Sequence, residues 1–322
     1  MTDLTAFATV LPGAEPRIRF AEPMSRHSTF SVGGPADIFF EPQNIAEILS
    51  ALTYAHKHEI PVTVLGVGSN VVIADRGIRG LVISFGRHFA AHSITDGVIE
   101  AQSGLLLAGL SAVAMRSSLG GIEFASGIPG TVGGAVMMNA GAYDHCLDEI
   151  ITEVTCLTPE LELCCLKPHE LNFGYRRSVF SAGDELEGGV ILGMKIELAE
   201  RPFAEIRDAV IEYGRRRAAS QPLEWPSAGS AFKRPPGYFA GKVISDCGLK
   251  GWRIGGAEVS QKHANFVINH NQATADDIRR LFRHIQLTVY KQTGITLVPE
   301  VRFIGDWDSA EREDLPDCAL AM

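Results

Sequence analysis

The sequence predicts an α+β protein of two or three packing units. Three observations carry this prediction. The chain has 322 residues, of which 46% are hydrophobic and 21% charged, which is enough apolar material for real cores and too much for a disordered chain. Predicted helices and short β-rich runs alternate without the regular rhythm of βαβ units, as is typical of mixed α+β domains. The pattern changes near Arg201-Pro202, after which a long helical stretch begins.

The first part of the chain opens with about 25 residues that lack periodicity, and we expect them to form a loosely attached lead-in. A helix over 44–57 is predicted because Asn44 can cap it, Glu47 follows three residues later and the apolar residues share one helical face. The other elements predicted here are strands at 62–66, 71–74, 81–84, 150–157 and 190–198 and a helix at 105–118.

The second part contains a helix over 203–219, a short strand at 265–269 and a final strand at 299–305. Its clearest element is the last helix, for which Thr274 and Asp277 form the N-terminal signal and Gly294 the C-terminal one. We expect the acidic tail after the final strand to be disordered. The predicted domain limits are a lead-in 1–25, a first domain 26–200 with parts at about 26–84 and 85–200, a second domain 201–306 and a polar tail 307–322.

Charge and hydropathy exclude several classes of protein. There are 29 basic and 38 acidic residues, a net charge of −9, so binding to nucleic acid through a basic surface is not expected. The longest largely apolar stretch, 104–115, is shorter than the ~20 residues of a membrane span. The N-terminus carries Asp3 and no basic region before an apolar core, so we expect no signal peptide and a cytoplasmic protein. The six cysteines form no CxxC pair, so we expect free thiols and no metal site.

A first glycine-rich loop lies between two β-rich runs. It reads Gly66-Val67-Gly68-Ser69-Asn70, in which glycines allow backbone amides to approach a phosphate and Ser69 and Asn70 add side-chain donors. The glycine spacing is not that of a dinucleotide fingerprint, and the loop lacks the Lys-Ser/Thr of a P-loop. Taken alone, a simple hairpin turn explains it equally well.

A second loop contains four glycines within eight positions and no charged residue. Its members are Gly127, Ile128, Pro129, Gly130, Thr131, Val132, Gly133, Gly134 and Ala135. A close crossing of two backbones or a buried turn is the structural alternative. Two such loops in one domain favour a cradle for an extended ligand that carries a diphosphate.

The stretch 221–270 is locally basic within an acidic protein. It holds six bases and three acids, a local net charge of +3, interleaved with seven glycines. A solvated surface would also explain the charge, but the glycines favour a pocket for an anion.

Seven segments, in this order, resemble the UDP-N-acetylenolpyruvoylglucosamine reductase family over nearly the whole chain. They are STFSVGGPAD (28–37), VLGVGSN (64–70), SGIPGTVGGAVMMNAGAY (126–143), FGYRRS (173–178), SAGSAFKRPPG (227–237), GLKGWRIGGAEVS (248–260) and PEVRFIG (299–305). The resemblance implies an FAD-binding domain of the vanillyl-alcohol-oxidase type with two α+β subdomains, followed by a substrate domain. FAD is expected to lie noncovalently on the two glycine loops, because the first loop offers neither His nor Cys for attachment.

The resemblance also implies residue roles. NADPH is the expected hydride donor, and the enolpyruvyl ether of a UDP-sugar is the acceptor. Arg176 and Glu300 are expected to flank the substrate carboxylate, and Ser230 to donate the proton. Glu300 helps there only if it is protonated, which requires burial to raise its pKa. The residues expected to bind the UDP-sugar are Tyr143, Arg234, Lys250 and His263.

The stretch between Arg176 and Ser230 is too short for the Tyr-bearing lid loop of the longer subtype, so the chain resembles the shorter one. No obligate protein partner is expected. Two alternatives remain: a related FAD oxidase or dehydrogenase acting on an alcohol or hydroxy acid, and a flavin-binding module without turnover. Without the family context, Ser230 would be interpreted as a hydrogen-bonding residue of a loop, Arg176 as part of a surface ion pair and Glu300 as an exposed residue at a strand edge.

Overall fold

The computed structural model describes residues 4–313, which form two compact units. Unit 1 comprises the described residues of Met1–Arg19, Phe39–Val67 and Leu81–Arg217. Unit 2 comprises those of Phe20–Ile38, Gly68–Gly80 and Ala218–Met322. Each unit is therefore assembled from three separate segments of the chain.

Helices and short strands alternate along the chain, which confirms the α+β class. The α-helices are α1 (Ile45–Lys57), α2 (Leu107–Arg116), α3 (Val132–Met137), α4 (Phe203–Ser220), α5 (Ala240–Asp246), α6 (Ala275–Thr293) and α7 (Ser309–Glu313). The strands are β1 (Ile18–Pro23), β2 (Pro35–Phe40), β3 (Val62–Leu65), β4 (Val71–Ile73), β5 (Ile78–Ser84), β6 (His92–Thr95), β7 (Val98–Gln102), β8 (Leu119–Gly120), β9 (Gly141–Ala142), β10 (His145–Cys146), β11 (Ile151–Leu157), β12 (Leu163–Leu166), β13 (Val190–Glu197), β14 (Ala199–Glu200), β15 (Arg253–Ile254), β16 (Ala257–Val259), β17 (Val267–Asn269) and β18 (Arg302–Ile304). None of the described helices is long and apolar enough to cross a membrane.

The larger sheet of unit 1 has five strands in the order β12-β11-β13-β7-β6. Its strands pair antiparallel, with Met194 of β13 opposite both Val154 of β11 and Ala101 of β7. Residues from α2 and α3 join these side chains in one buried apolar cluster. Burying an aliphatic side chain of this size contributes about 1.5–3 kcal/mol, so this cluster holds the second glycine loop, which leads into α3, against the sheet.

The helix predicted at 44–57 is confirmed as α1, with the Asn44 side chain accepting a hydrogen bond from the amide of Glu47. The expectation of a loose lead-in is wrong for the described residues before it. Phe7 is fully buried, and its ring meets those of Phe40 and Tyr54 edge-on. Arg17 binds both carboxylate oxygens of Glu47, at 2.6 and 2.7 Å. The segment shows no α-helical period because it folds as two 3-10 helices, Leu4–Val10 and Glu15–Arg17, followed by strand β1.

Unit 2 contains a three-stranded antiparallel sheet, β15-β16-β17, and a parallel pair formed by β18 and β4. Helix α6 packs its apolar face into the core, where Phe282 contacts Phe232 and Phe303. Its ends match the sequence signals, since Thr274 and Asp277 form a capping box and Gly294 adopts a left-handed φ of 72°.

The structure differs from the predicted domain limits in three respects. The first fifteen residues of α4 belong to unit 1, so the last boundary falls at Arg217 and not at residue 200. Residues 20–38 and 68–80 belong to unit 2, where β4 supplies the partner of β18. The predicted polar tail also starts too early, because Trp307 is only 3% exposed and packs on Phe303. Residues 314–322 of that tail lie outside the described residues.

Candidate active site

Gly66 of the first glycine loop lies against Thr131 of the second loop within unit 1. A Cβ atom on Gly66 would lie 2.4 Å from Oγ1 of Thr131, which is too close for any side chain. Thr131 itself is buried directly before α3. Glycine at position 66 therefore lets the first loop lie against the second, as the cradle hypothesis requires.

Backbone hydrogen bonds hold the second loop rigid. The amides of Val132 and Gly133 donate to the carbonyls of Leu105 and Ser103, at 2.8 and 3.0 Å. A Cβ on Gly133 would lie 2.9 Å from Oγ of Ser103, and Gly130 has a φ of 143°, which side chains rarely adopt. These glycines are required by the packing. Gly134, by contrast, is exposed with no atom within 3.4 Å of its Cβ position, so its backbone is open to a ligand.

Arg217 at the end of α4 is a residue that sequence reasoning missed. A Cβ on Gly127 would lie 2.9 Å from its Cδ, so the Arg217 side chain runs along the second loop. Burial lowers the pKa of Arg217, and the nearby phenol of Tyr143 opposes that effect. Among the described residues no carboxylate lies within ion-pair distance of it. Its neighbours Arg215 and Arg216 both pair with Glu212, so the basic run contains two surface pairs and one cation at the glycine loop.

Tyr143 and Arg176 lie on two adjoining loops of unit 1. Nη2 of Arg176 donates to the carbonyl of Gly141 across 3.2 Å. Both residues adopt left-handed backbone angles, with φ of 55° for Tyr143 and 56° for Arg176. The Tyr143 hydroxyl donates to the carbonyl of Tyr213, and the two rings stack at 4.4 Å. These contacts fix both side chains in unit 1, and the roles expected of Tyr143 and Arg176 toward the substrate stay predictions.

In unit 2 the backbone brings Ser230 and Glu300 onto neighbouring segments. The amide of Glu300 donates to the carbonyl of Ala231 at 2.9 Å, and that of Lys233 donates to Val298 at 2.8 Å. Ser230 is therefore one residue away from the pairing that fixes Glu300. Both side chains are half-buried.

Asn70 joins the same place. Its side-chain amide donates to the carbonyl of Glu300 at 3.0 Å, and its own carbonyl accepts from the amide of Arg302 at 3.0 Å. Ser69 and Asn70 were predicted to bind the cofactor. The structure shows Asn70 holding the backbone of Glu300, and its contact with the cofactor stays a prediction.

Asn265 fixes the Ser230 segment from the other side and was also missed. The Asn265 carbonyl accepts from the amide of Ala231 at 2.7 Å. Its side chain accepts from the amide of Phe232 at 3.0 Å and donates to the carbonyl of Phe232 at 2.9 Å. Asn265 lies two residues before β17 and is only 7% exposed, and the sequence alone carries no signal of this burial.

His263 is held as a neutral imidazole. Its Nδ1 accepts from the amide of Asn265 at 3.2 Å, which leaves the proton on Nε2. Burial lowers the pKa of His263, and the positive charge of Lys250 lowers it further. Gly241 leaves room for the ring, since a Cβ there would lie 3.3 Å from Cε1. Unit 2 therefore brings His263 within electrostatic range of Lys250, which is exposed.

Two family models match the chain. The model described as "UDP-N-acetylenolpyruvoylglucosamine reductase, C-terminal domain" covers residues 221–304, and an FAD binding domain model covers residues 36–164. The UDP-N-acetylenolpyruvoylglucosamine reductase of Agathobacter rectalis is 44% identical over 89% of this chain and 93% of its own length. That of Exiguobacterium sibiricum is 45% identical over 91% of this chain and 95% of its own.

The crystal structure of the reductase from Thermus caldophilus has a TM-score of 0.76 and 34% sequence identity, covering 89% of this chain and 98% of that one. The chain belongs to the UDP-N-acetylenolpyruvoylglucosamine reductase family. The family resemblance drawn from the seven segments is thereby confirmed, and so is an FAD-binding domain followed by a reductase C-terminal domain.

As a member of the reductase family, the protein is an FAD-dependent oxidoreductase. Its unit 1 residues fit that cofactor: the Gly66–Thr131 contact joins the two loops, Gly134 exposes backbone, and Arg217 adds a positive charge beside them. Glycines and a cation are the donor set that a dinucleotide diphosphate requires. The expectation of free thiols is confirmed for five cysteines, and Cys318 lies outside the described residues.

Proposed function

We propose that this reductase uses NADPH to convert UDP-N-acetylglucosamine enolpyruvate to UDP-N-acetylmuramate, a step in the synthesis of peptidoglycan precursors. The observation that carries the proposal is the backbone pairing that holds Ser230 and Glu300 on neighbouring segments, with Asn70 and Asn265 fixing them. Bound FAD would accept hydride from NADPH and deliver it to the substrate. The two substrates are small molecules, and we place the reaction in the cytoplasm.

Arg176 is the residue that we assign to the substrate carboxylate. Hydride addition at the methylene carbon sends negative charge onto that carboxylate, and a guanidinium can bind it with two hydrogen bonds. The hydrogen bond from Arg176 to Gly141 orients the side chain in advance, so little reorganisation is needed when the charge develops.

Ser230 is the residue that we assign to proton donation at C2. A hydroxyl is a weak acid, so its position relative to the carbon decides whether it can act. Asn265 fixes the backbone of the next two residues with three hydrogen bonds, which limits the movement of Ser230. Glu300, whose backbone carbonyl is held by Asn70, is the residue that we assign to the other side of the substrate carboxylate.

Arg234, Lys250 and His263 are the residues that we assign to the diphosphate and sugar. The first two carry positive charge, whereas His263 is neutral and offers an Nε2–H donor. A neutral donor can bind a sugar hydroxyl or a phosphate oxygen without adding charge.

An anaerobic flavin spectrum tests the proposal. NADPH should bleach the flavin band, and UDP-N-acetylglucosamine enolpyruvate should restore it. Restoration by oxygen alone would favour the oxidase alternative, and a protein that cannot be reconstituted with flavin would contradict the cradle. In the Ser230→Ala variant, bleaching should proceed at the parent rate and restoration should slow by about 10²–10⁴-fold.

A further inference from the structure

A rigid turn in unit 2 presents two adjacent aromatic side chains to solvent. The amide of Tyr238 donates to the carbonyl of Pro235 at 3.0 Å, and Gly237 has a φ of 77°. With Pro236 at the second position and Gly237 at the third, this is a type II turn whose backbone is fixed before any ligand arrives. Pro235 is buried and anchors its start.

Helix α5 fixes the other side of the turn. Phe239 is its N-terminal cap residue, and the carbonyl of Phe239 accepts from the amide of Val243 at 3.1 Å. The backbone is therefore fixed on both sides of Phe239, by the turn before it and by helix α5 after it. Phe239 is nonetheless 62% exposed and Tyr238 is 52% exposed.

Arg234 covers one face of the Phe239 ring. Its guanidinium carbon lies 4.1 Å from the ring centroid, a close cation–π contact. Because most of the Phe239 surface is exposed, the opposite face of the ring is open. The surface thus combines a preorganised aromatic face with a positive charge, in a stretch of the chain whose local net charge is +3.

We propose that the Phe239 ring, backed by Arg234 and flanked by Tyr238, is a stacking platform for the uracil ring of the UDP-sugar. The uracil ring is flat and carries an anionic diphosphate, so it matches a flat aromatic ring beside a cation. Stacking of a base on an aromatic ring does not depend on specific hydrogen bonds to the base. The inference rests on the proposed function, and it names the part of the protein that recognises the nucleoside. NADPH is the other nucleotide source with this chemistry, and the experiment separates the two.

The holoenzyme is titrated with UDP by calorimetry, and the two half-reactions are followed in the flavin spectrum. Phe239→Ala should weaken UDP binding by about tenfold or more and raise the KM for the UDP-sugar by a similar factor, with little change in kcat. The NADPH concentration that gives half-maximal bleaching should stay within about twofold. Phe239→Trp should bind UDP about as tightly as the parent, because the larger ring preserves stacking.

Tyr290→Ala is the matched control, since Tyr290 is an exposed aromatic residue of unit 2 on α6. It should leave the UDP affinity, the KM and kcat for the UDP-sugar and the NADPH concentration for half-maximal bleaching unchanged. UDP affinity of Phe239→Ala within about twofold of the parent would overturn the inference, as would a shift confined to NADPH. If the parent binds UDP but does not reduce the UDP-sugar, the proposed function fails while the stacking platform is still judged by UDP binding.

Discussion

The side-chain amide of Asn70 donates a hydrogen bond to the backbone carbonyl of Glu300, 230 residues further along the chain. One asparagine of the first glycine loop thereby fixes the backbone of a proposed catalytic carboxylate. The contact lies within unit 2, in which the amide of Arg302 returns a bond to the carbonyl of Asn70.

Removal of the Asn70 amide should move Glu300. In Asn70→Ala the carbonyl of Glu300 loses its donor, which costs about 1–3 kcal/mol if no water replaces it. We expect a lower free energy of unfolding in urea and slower restoration of the flavin band by the UDP-sugar. Asn271→Ala, at an exposed asparagine of the same unit, is the control. Unchanged restoration in Asn70→Ala would show that the contact does not position Glu300.

The Asn265 contacts predict a graded series. Asn265→Ala leaves the amide and the carbonyl of Phe232 without their side-chain partners in a buried place, and should lower the free energy of unfolding by about 2–4 kcal/mol. Asn265→Asp keeps the acceptor for the Phe232 amide but loses the donor. Its carboxylate would also face a carbonyl. In urea denaturation, the parent should have a higher free energy of unfolding than both variants. Equal stability of all three proteins would show that the Asn265 side chain does not hold the Phe232 backbone.

Arg217 should contribute to flavin binding. Arg217→Met keeps much of the aliphatic side chain beside Gly127 and removes the charge, so we expect flavin affinity to fall by about tenfold or more. Arg215→Met removes an exposed charge that pairs with Glu212 and should leave flavin affinity unchanged. The measurement is flavin fluorescence on dilution of the holoenzyme. The same flavin affinity in both variants would remove Arg217 from the cradle.

His263 should make the protein less stable in mild acid. Burial, assisted by Lys250, lowers the pKa of His263 below its usual value of about 6.5, so the unfolded chain binds a proton more readily than the folded one. Stability from this group is full above pH ~6.5 and declines as the pH falls through the lowered folded pKa. His263→Asn should flatten the dependence of unfolding free energy on pH below about 6.5. The residual slope should come in part from His284, whose pKa is also lowered by burial.

The sequence predicted those features that depend on neighbouring residues. The Asn44–Glu47 cap and the Thr274–Asp277 capping box are local contacts, so α1 and α6 were found with their ends. The glycine loops stood out because glycine is dense there, and their part in binding FAD stays a prediction. What escaped prediction depends on distant pairing. Nothing near Asn70 reveals Glu300, and nothing in the run Arg215–Arg217 distinguishes the residue that faces Gly127.

The parallel pairing of β4 with β18 has a consequence for folding during synthesis. β4 ends at Ile73, and its partner begins at Arg302, so unit 2 cannot close until nearly the whole chain has been synthesised. At ~5–20 residues per second, the ribosome needs roughly 10–50 s to cover that distance. During this time the Val-Val-Ile edge of β4 has no partner strand and can pair with other nascent chains. We therefore expect yield on overexpression to improve when translation is slow or holding chaperones are abundant.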